Sequence, residues 1–137
     1  MKDVEIVLAD RPGELARMAT ALGAAGISIE GGGVWSVDGR AVAHFLFDAS
    51  APVASVLAAQ GIEVVAEREV VVLRLDQARP GQLGAATGMM AAAGVNIAVQ
   101  YSDHDHRLVL VVDDLAAARE VAADWMRGRM DGNDAGA

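Results

Sequence analysis

The sequence predicts an α+β protein in which a ferredoxin-like βαββαβ unit occurs twice. Each antiparallel sheet is expected to carry its helices on one face, with the repeats packed side by side. Three observations predict this. The segment Arg11-Pro12-Gly13-Glu14-Leu15 returns as Arg79-Pro80-Gly81-Gln82-Leu83, 68 residues later. The same offset aligns Ala24-Ala25-Gly26-Ile27-Ser28-Ile29 with Ala92-Ala93-Gly94-Val95-Asn96-Ile97, and a fixed period over two stretches marks a duplicated unit. Apolar residues of period two then alternate with helical stripes in the same order in each half.

Val4, Ile6 and Leu8 alternate with polar or smaller neighbours as in a half-buried strand. Pro12 suits the first turn of a helix, where its missing N–H costs nothing, and that places Arg11 at the N-cap. Leu15, Met18, Ala19 and Leu22 fall at i, i+3, i+4 and i+7 and form one apolar stripe; Gly26 ends the helix as a left-handed cap. Ser28 to Val37 reads as a second strand interrupted by Gly31-Gly32-Gly33. That glycine run is either a bulge presenting backbone to a ligand or a weakly paired segment. Asp38-Gly39 signals a hairpin and Ala41 to Phe47 the returning strand. A second helix follows Ser50, with Pro52 in its first turn and Val53, Val56 and Leu57 facing inward. Ile62 to Ala66 is a fourth strand.

The second half repeats the order. Val70 to Leu75 is strand, and Leu83, Ala86, Thr87 and Met90 form the helix stripe. Asn96 to Tyr101 is strand, Asp103-His104-Asp105-His106 a polar hairpin tip, and Leu108 to Val112 the return. Leu115, Ala118, Val121, Ala122 and Trp125 line the last helix. No strand pattern follows, so this half lacks its fourth strand or borrows one. The expected division is 1–68 for the first repeat, 69–127 for the second and 128–137 for a disordered tail. Glu67 to Glu69 is the expected linker, too short to let the units move independently.

The chain has 137 residues, 53% of them hydrophobic, which is ample for a globular core. Units of this size bury only about 60% of their extended-chain surface, so two together are better served than one. A formal charge of -8 and the absence of a basic run argue against nucleic acid and against an anionic membrane surface. The absence of cysteine excludes disulfides, thiolate metal sites and a cysteine nucleophile. Met1-Lys2-Asp3-Val4-Glu5 enters a strand pattern directly, without a signal-peptide block. The expected location is cytoplasmic.

The two helix entrances carry the chemistry. An arginine N-cap cannot accept hydrogen bonds from the first-turn amides, and Gly13 and Gly81 leave room for close approach. A helix N-terminus with free donors attracts anions, and an adjacent arginine adds charge. The plainer reading is a tight Pro-Gly turn capped by Asp10, with Glu14 or Gln82 reaching back as half of a capping box. The entrances differ electrically: Asp10, Arg11 and Glu14 sum to −1, whereas Ala78, Arg79 and Gln82 sum to +1. A carboxylate should prefer the second, held by Arg79 and the amides of Gly81 to Leu83. Glu30 is the candidate for an accompanying ammonium group.

Asp10-Arg11-Pro12-Gly13-Glu14-Leu15 followed by Gly26-Ile27-Ser28-Ile29 resembles the signature of the ACT domain family. Ala78-Arg79-Pro80-Gly81-Gln82-Leu83 with Gly94-Val95-Asn96-Ile97 resembles it again, and the similarity extends to about Trp125. Ala78 departs from the acidic residue of the motif, and Ser28 stands where the second repeat has the more typical Asn96. The resemblance implies a regulatory module that pairs with its like, as a homodimer or higher homo-oligomer, and binds an amino acid or related small carboxylate between paired domains. It implies a site formed by the loops Asp10–Leu15 and Arg79–Leu83 together with the strand starts Ser28–Ile29 and Asn96–Ile97, and a regulated enzyme of unspecified identity.

Other polar clusters are weaker candidates. His104 and His106 flank Asp105 at an exposed tip and His44 lies in a strand; water-facing imidazoles are expected there, not a metal. Trp35, Tyr101, Trp125 and Met89-Met90 are expected to pack. No phosphate-loop, nucleophile-elbow or zinc-helix motif is present, so no catalytic residue, cofactor or metal is assigned and no enzyme activity is expected. An acylphosphatase, which shares the fold class, would need a glycine-rich Val-Gln-Gly loop that this chain lacks. The alternative to a ligand-binding regulator is a ligand-free interaction or scaffold module whose open sheet edge docks another subunit.

Overall fold

The alternation at the start of the chain is strand β1, Lys2–Ala9, with Val4, Ile6 and Leu8 buried on one face. The computed structural model describes residues 1–134, and the chain divides after Glu69 into two units. In the first, β1 leads to helix α1, Glu14–Ala24, and then to the hairpin of β2, Gly31–Val37, and β3, Arg40–Phe47. Asp38 and Gly39 turn that hairpin with φ of 48° and 79°, as the Asp-Gly pair predicts. Helix α2, Val53–Ala58, begins after Pro52, and β4, Glu63–Glu69, closes the unit. The sheet order is β2-β3-β1-β4 with antiparallel pairs throughout, the ferredoxin-like arrangement. Met18 and Leu22 of α1 and Val53 and Leu57 of α2 pack with Val4, Ile6, Ala43 and Phe47 in one core.

The second unit contains β5, Val71–Arg74, helix α3, Gln82–Ala92, the hairpin β6, Ile97–Ser102, and β7, Arg107–Val112, then helix α4, Leu115–Asp134. Its sheet has three strands in the order β5-β7-β6, and among the described residues it has no fourth. Ala86 and Met90 of α3 and Ala118, Val121 and Ala122 of α4 pack on Val71, Leu73, Leu108 and Leu110.

Several expectations need correction. Glu67–Glu69 is no linker: Lys2 pairs with Glu69 and Val4 with Glu67 in the β1–β4 ladder. The second strand starts at Gly31, so Ser28 to Glu30 precede it. Its glycine run is regularly paired, without a bulge, Gly32 lying opposite Phe45. Residues 128–134, expected to be disordered, continue α4. They are tied down because Trp125 donates its indole N–H to Arg74 O at 2.8 Å and Arg129 donates to the same carbonyl. The last residue of the edge strand β5 is thus met by helix α4. Residues 135–137 of the expected tail lie outside the described residues.

The helix stripes hold at Met18 and Leu22 and at Ala86 and Met90, but Leu15 and Leu83 do not face inward as expected. The buried positions of α1 are Glu14, Met18 and Leu22, at i, i+4 and i+8, while Leu15 is 45% exposed. In α3 Ala86 and Met90 are buried, Gln82 is half-buried at the matching position, and Leu83 is again 45% exposed. Ala19 is exposed as well. A one-residue step turns a side chain about 100° around the axis, which carries Leu15 and Leu83 off the core face.

Candidate functional site

Each helix entrance is built on a left-handed glycine. Gly13 (φ 91°, ψ −15°) and Gly81 (φ 87°, ψ 0°) are the N-caps, in place of Arg11 and Arg79, and neither helix has a side-chain cap. The strand-to-helix reversal is taken up at the glycine because proline cannot adopt positive φ. Neither Asp10 nor a capping box satisfies the first-turn amides. Asp10 instead accepts a hydrogen bond from Ser36 Oγ at 3.0 Å. Gln82 reaches further back, its Oε1 accepting from the Asp76 N–H at 3.3 Å.

At the first entrance Arg11 donates to Glu14 Oε1 at 3.1 Å and Arg17 to Glu14 Oε2 at 2.9 Å. Glu14 is only 8% exposed. Hydrogen bonds from Arg17 and then Arg11 hold its carboxyl below the usual glutamate range, against the opposing effect of burial. This entrance already contains its anion. At the second, Gln82 stands for Glu14 and Ala85 for Arg17. Arg79 is exposed, and its guanidinium makes no ion pair among the described residues.

The expected strand starts lie elsewhere. Ser28 is exposed, while Ile29 and Glu30 are half-buried just before β2; the Glu30 N–H donates to Leu46 O, and its carboxylate makes no ion pair among the described residues. β2 begins level with the start of β1, since Gly31 pairs with Leu46 and Lys2 with Phe47. The loop Asp10–Leu15 follows the other end of β1, where Ala9 pairs with Arg40 and Arg40 with Val37. A seven-residue strand, roughly 20 Å long, separates the two groups. In the second unit Asn96 and Ile97 likewise start β6 at the end remote from Arg79–Leu83. The Asn96 N–H is occupied by Asp113 Oδ1 at 2.9 Å. Within a single unit, therefore, the expected loop and strand start do not meet.

A cleft of about 830 Å³ does open at the second entrance, entirely within the second unit. Asp76, Arg79 and Gln82 line one side; Asp124, Trp125 and Arg129 of α4 line the other, with Met89 and Met126 supplying apolar surface. The sequence reading missed the α4 residues. Their signal is the spacing of Trp125 and Arg129, which puts an aromatic and a cation on one helical face.

His44 is engaged within its own sheet, while His104 and His106 are exposed. His44 Nδ1 lies 3.0 Å from Asp3 Oδ2 and Nε2 lies 3.4 Å from Glu5 Oε1. At the β6–β7 turn the organising group is the buried Asp103. Burial by itself would raise its carboxyl, but the Arg107 N–H, the Arg107 guanidinium and the Asp105 N–H together hold it below the usual range. No group of three or more metal-ligating side chains occurs among the described residues. No described helix is long and apolar enough to cross a membrane.

No protein-family model matches the chain, and no curated protein matches it by sequence. Solved structures do. Protein BT0572 from Bacteroides thetaiotaomicron is similar at a TM-score of 0.78 and 19% identity, over 91% of this chain and 88% of that one. The regulatory subunit of aspartate kinase from Thermus thermophilus, in a ligand-free form, is similar at 0.68 and 16%, over 90% and 91%. The corresponding subunit from Thermus flavus is similar at 0.62 and 18%, over 90% of each chain. At these identities the likeness is one of fold, and that fold is α+β, ferredoxin-like and ACT-like.

Proposed function

We propose that this chain is a tandem ACT regulatory protein that binds an amino acid or related small carboxylate and has no catalytic activity of its own. Ligand binding stabilises an ACT–ACT interface, between repeats or between copies in a homo-oligomer, and so biases the state of a regulated partner enzyme. The observation that carries the reading is the asymmetry of the two entrances. Both present first-turn amides without a side-chain cap, but only the first holds an internal carboxylate. At the second, Arg79 makes no ion pair among the described residues, as a ligand carboxylate requires. The fold shared with aspartate kinase regulatory subunits supports a regulatory role. In this reading Glu30 and the strand starts Ser28–Ile29 and Asn96–Ile97 belong to the partner side of a paired site.

Sensing at micromolar to millimolar levels needs only about −8 to −4 kcal/mol, which a few charge-assisted hydrogen bonds and an apolar wall can supply. A thermal-shift screen of the twenty amino acids tests the proposal. One or a few should raise the melting temperature, since ligand at a hundred times its Kd adds about 2.7 kcal/mol. A flat response to all twenty, with self-association retained, refutes it in favour of a ligand-free scaffold.

A further inference from the structure

The α3–α4 cleft of the second unit shares Arg79 and Gln82 with the second entrance loop, but its walls all come from one unit and include no strand start. Its lining carries both signs. Arg79 and Arg129 contribute positive groups and Asp76 and Asp124 carboxylates, of which Asp124 is already paired with Arg127. An isolated phosphate would face both carboxylates, and a divalent cation both guanidiniums. A small zwitterion meets an opposite charge at each end. Met89, Trp125 and Met126 add apolar surface, and the Trp125 ring is held in place because its N–H is bonded to Arg74 O. Arg129 is anchored on the same carbonyl, whereas Arg79 is left available.

We infer that this cleft is itself a binding site for an α-amino acid with a large apolar or aromatic side chain. Arg79 takes the carboxylate, Asp76 faces the ammonium group, and the side chain lies on Trp125 and Met89. A volume of about 830 Å³ falls within the range of small-molecule pockets, with room for the ligand and some water. Because α4 provides a whole wall, occupancy orders its last two turns, and the ligand signal leaves the site through that helix. The inference rests on the amino-acid reading above and shares its Arg79, but it places the ligand within the second unit instead of at a paired interface.

Titration calorimetry on the full chain tests it, with phenylalanine, methionine and leucine as probes and glycine as the comparison. At least one large apolar amino acid should bind more tightly than glycine. Arg79→Ala, an exposed change, should weaken it about tenfold or more. Met89→Trp, which fills the cleft, should do the same in a protein whose circular dichroism is unaltered. Arg11→Ala at the first entrance should leave affinity within about a factor of two. Amide exchange over residues 124–134 should slow on saturation. If the parent binds amino acids and Met89→Trp leaves affinity unchanged, the cleft is not the site, and a loss confined to Arg79→Ala then leaves the paired-site reading standing; if both variants bind as the parent does, Arg79 holds no ligand in either reading. If none of the twenty amino acids binds, both fall together.

Discussion

Arg11 grips Glu14 through both Nε and Nη2, each 3.1 Å from Oε1. Arg79, its counterpart, has glutamine three residues on. This one difference gives two otherwise matching helix entrances opposite uses. Restoring the acid with Gln82→Glu should close the second entrance as the first is closed. The new carboxylate can keep the hydrogen bond from the Asp76 N–H and also neutralise Arg79. Amino-acid affinity measured by calorimetry is expected to fall about tenfold or more, with the melting temperature little changed.

Two ion clusters, one at Glu14 and one at Asp103, make stability depend on pH. Glu14 and Asp103 titrate below their ordinary values of 4.5 and 3.8 in the folded protein. A group with a depressed folded pKa stabilises the fold above its unfolded pKa and loses that contribution as pH falls. The parent should therefore be more stable than Glu14→Gln at pH 7, and the gap should narrow as pH drops from about 5 toward 3. Urea midpoints at pH 7 and pH 3 check this; a gap that widens in acid would contradict it.

Backbone conformation should separate three glycines that look alike in sequence. A Cβ at Gly13 or Gly81 would meet nothing within 4 Å, so alanine there carries only the left-handed backbone penalty, about 1–2 kcal/mol. At Gly32 a Cβ would lie 2.0 Å from His44 O, where φ is already 115°. Gly32→Ala should thus separate β2 from β3 and cost more than about 3 kcal/mol, or prevent folding. Equilibrium denaturation of the three variants gives the ranking.

The end of α4 is held by the side chains that reach Arg74 O. Trp125→Phe retains an aromatic ring and removes only the indole N–H, for an expected loss of about 1 kcal/mol. Hydrogen exchange should rise selectively over the last two turns of α4. A uniform rise across the second unit would mean that the bond supports the whole core instead.

Much of the fold is legible in residue order because local physics writes it there. The alternation of Val4, Ile6 and Leu8, the Asp38-Gly39 turn and the repeated Arg-Pro-Gly step each act over a few residues. Where the reading slipped, a distant or unusual partner was responsible. Leu15 looks like the natural inward residue and Glu14 the outward one. The structure reverses them, because Arg11 and Arg17 neutralise the acid and make its burial tolerable. Gly128 to Asp134 reads as a tail by composition, yet it is helix, since Arg129 finds a carbonyl 55 residues earlier in the chain.

Of the site, the sequence by itself determined the two Pro-Gly helix entrances and their difference in charge, for these follow from neighbouring residue types. Only the tertiary structure decided that each entrance lies a strand's length from the strand start of its own unit. Only the structure, too, decided that Trp125 and Arg129 stand across a cleft from Arg79. Strand pairing and helix docking fix such distances, and they join residues that no local pattern connects.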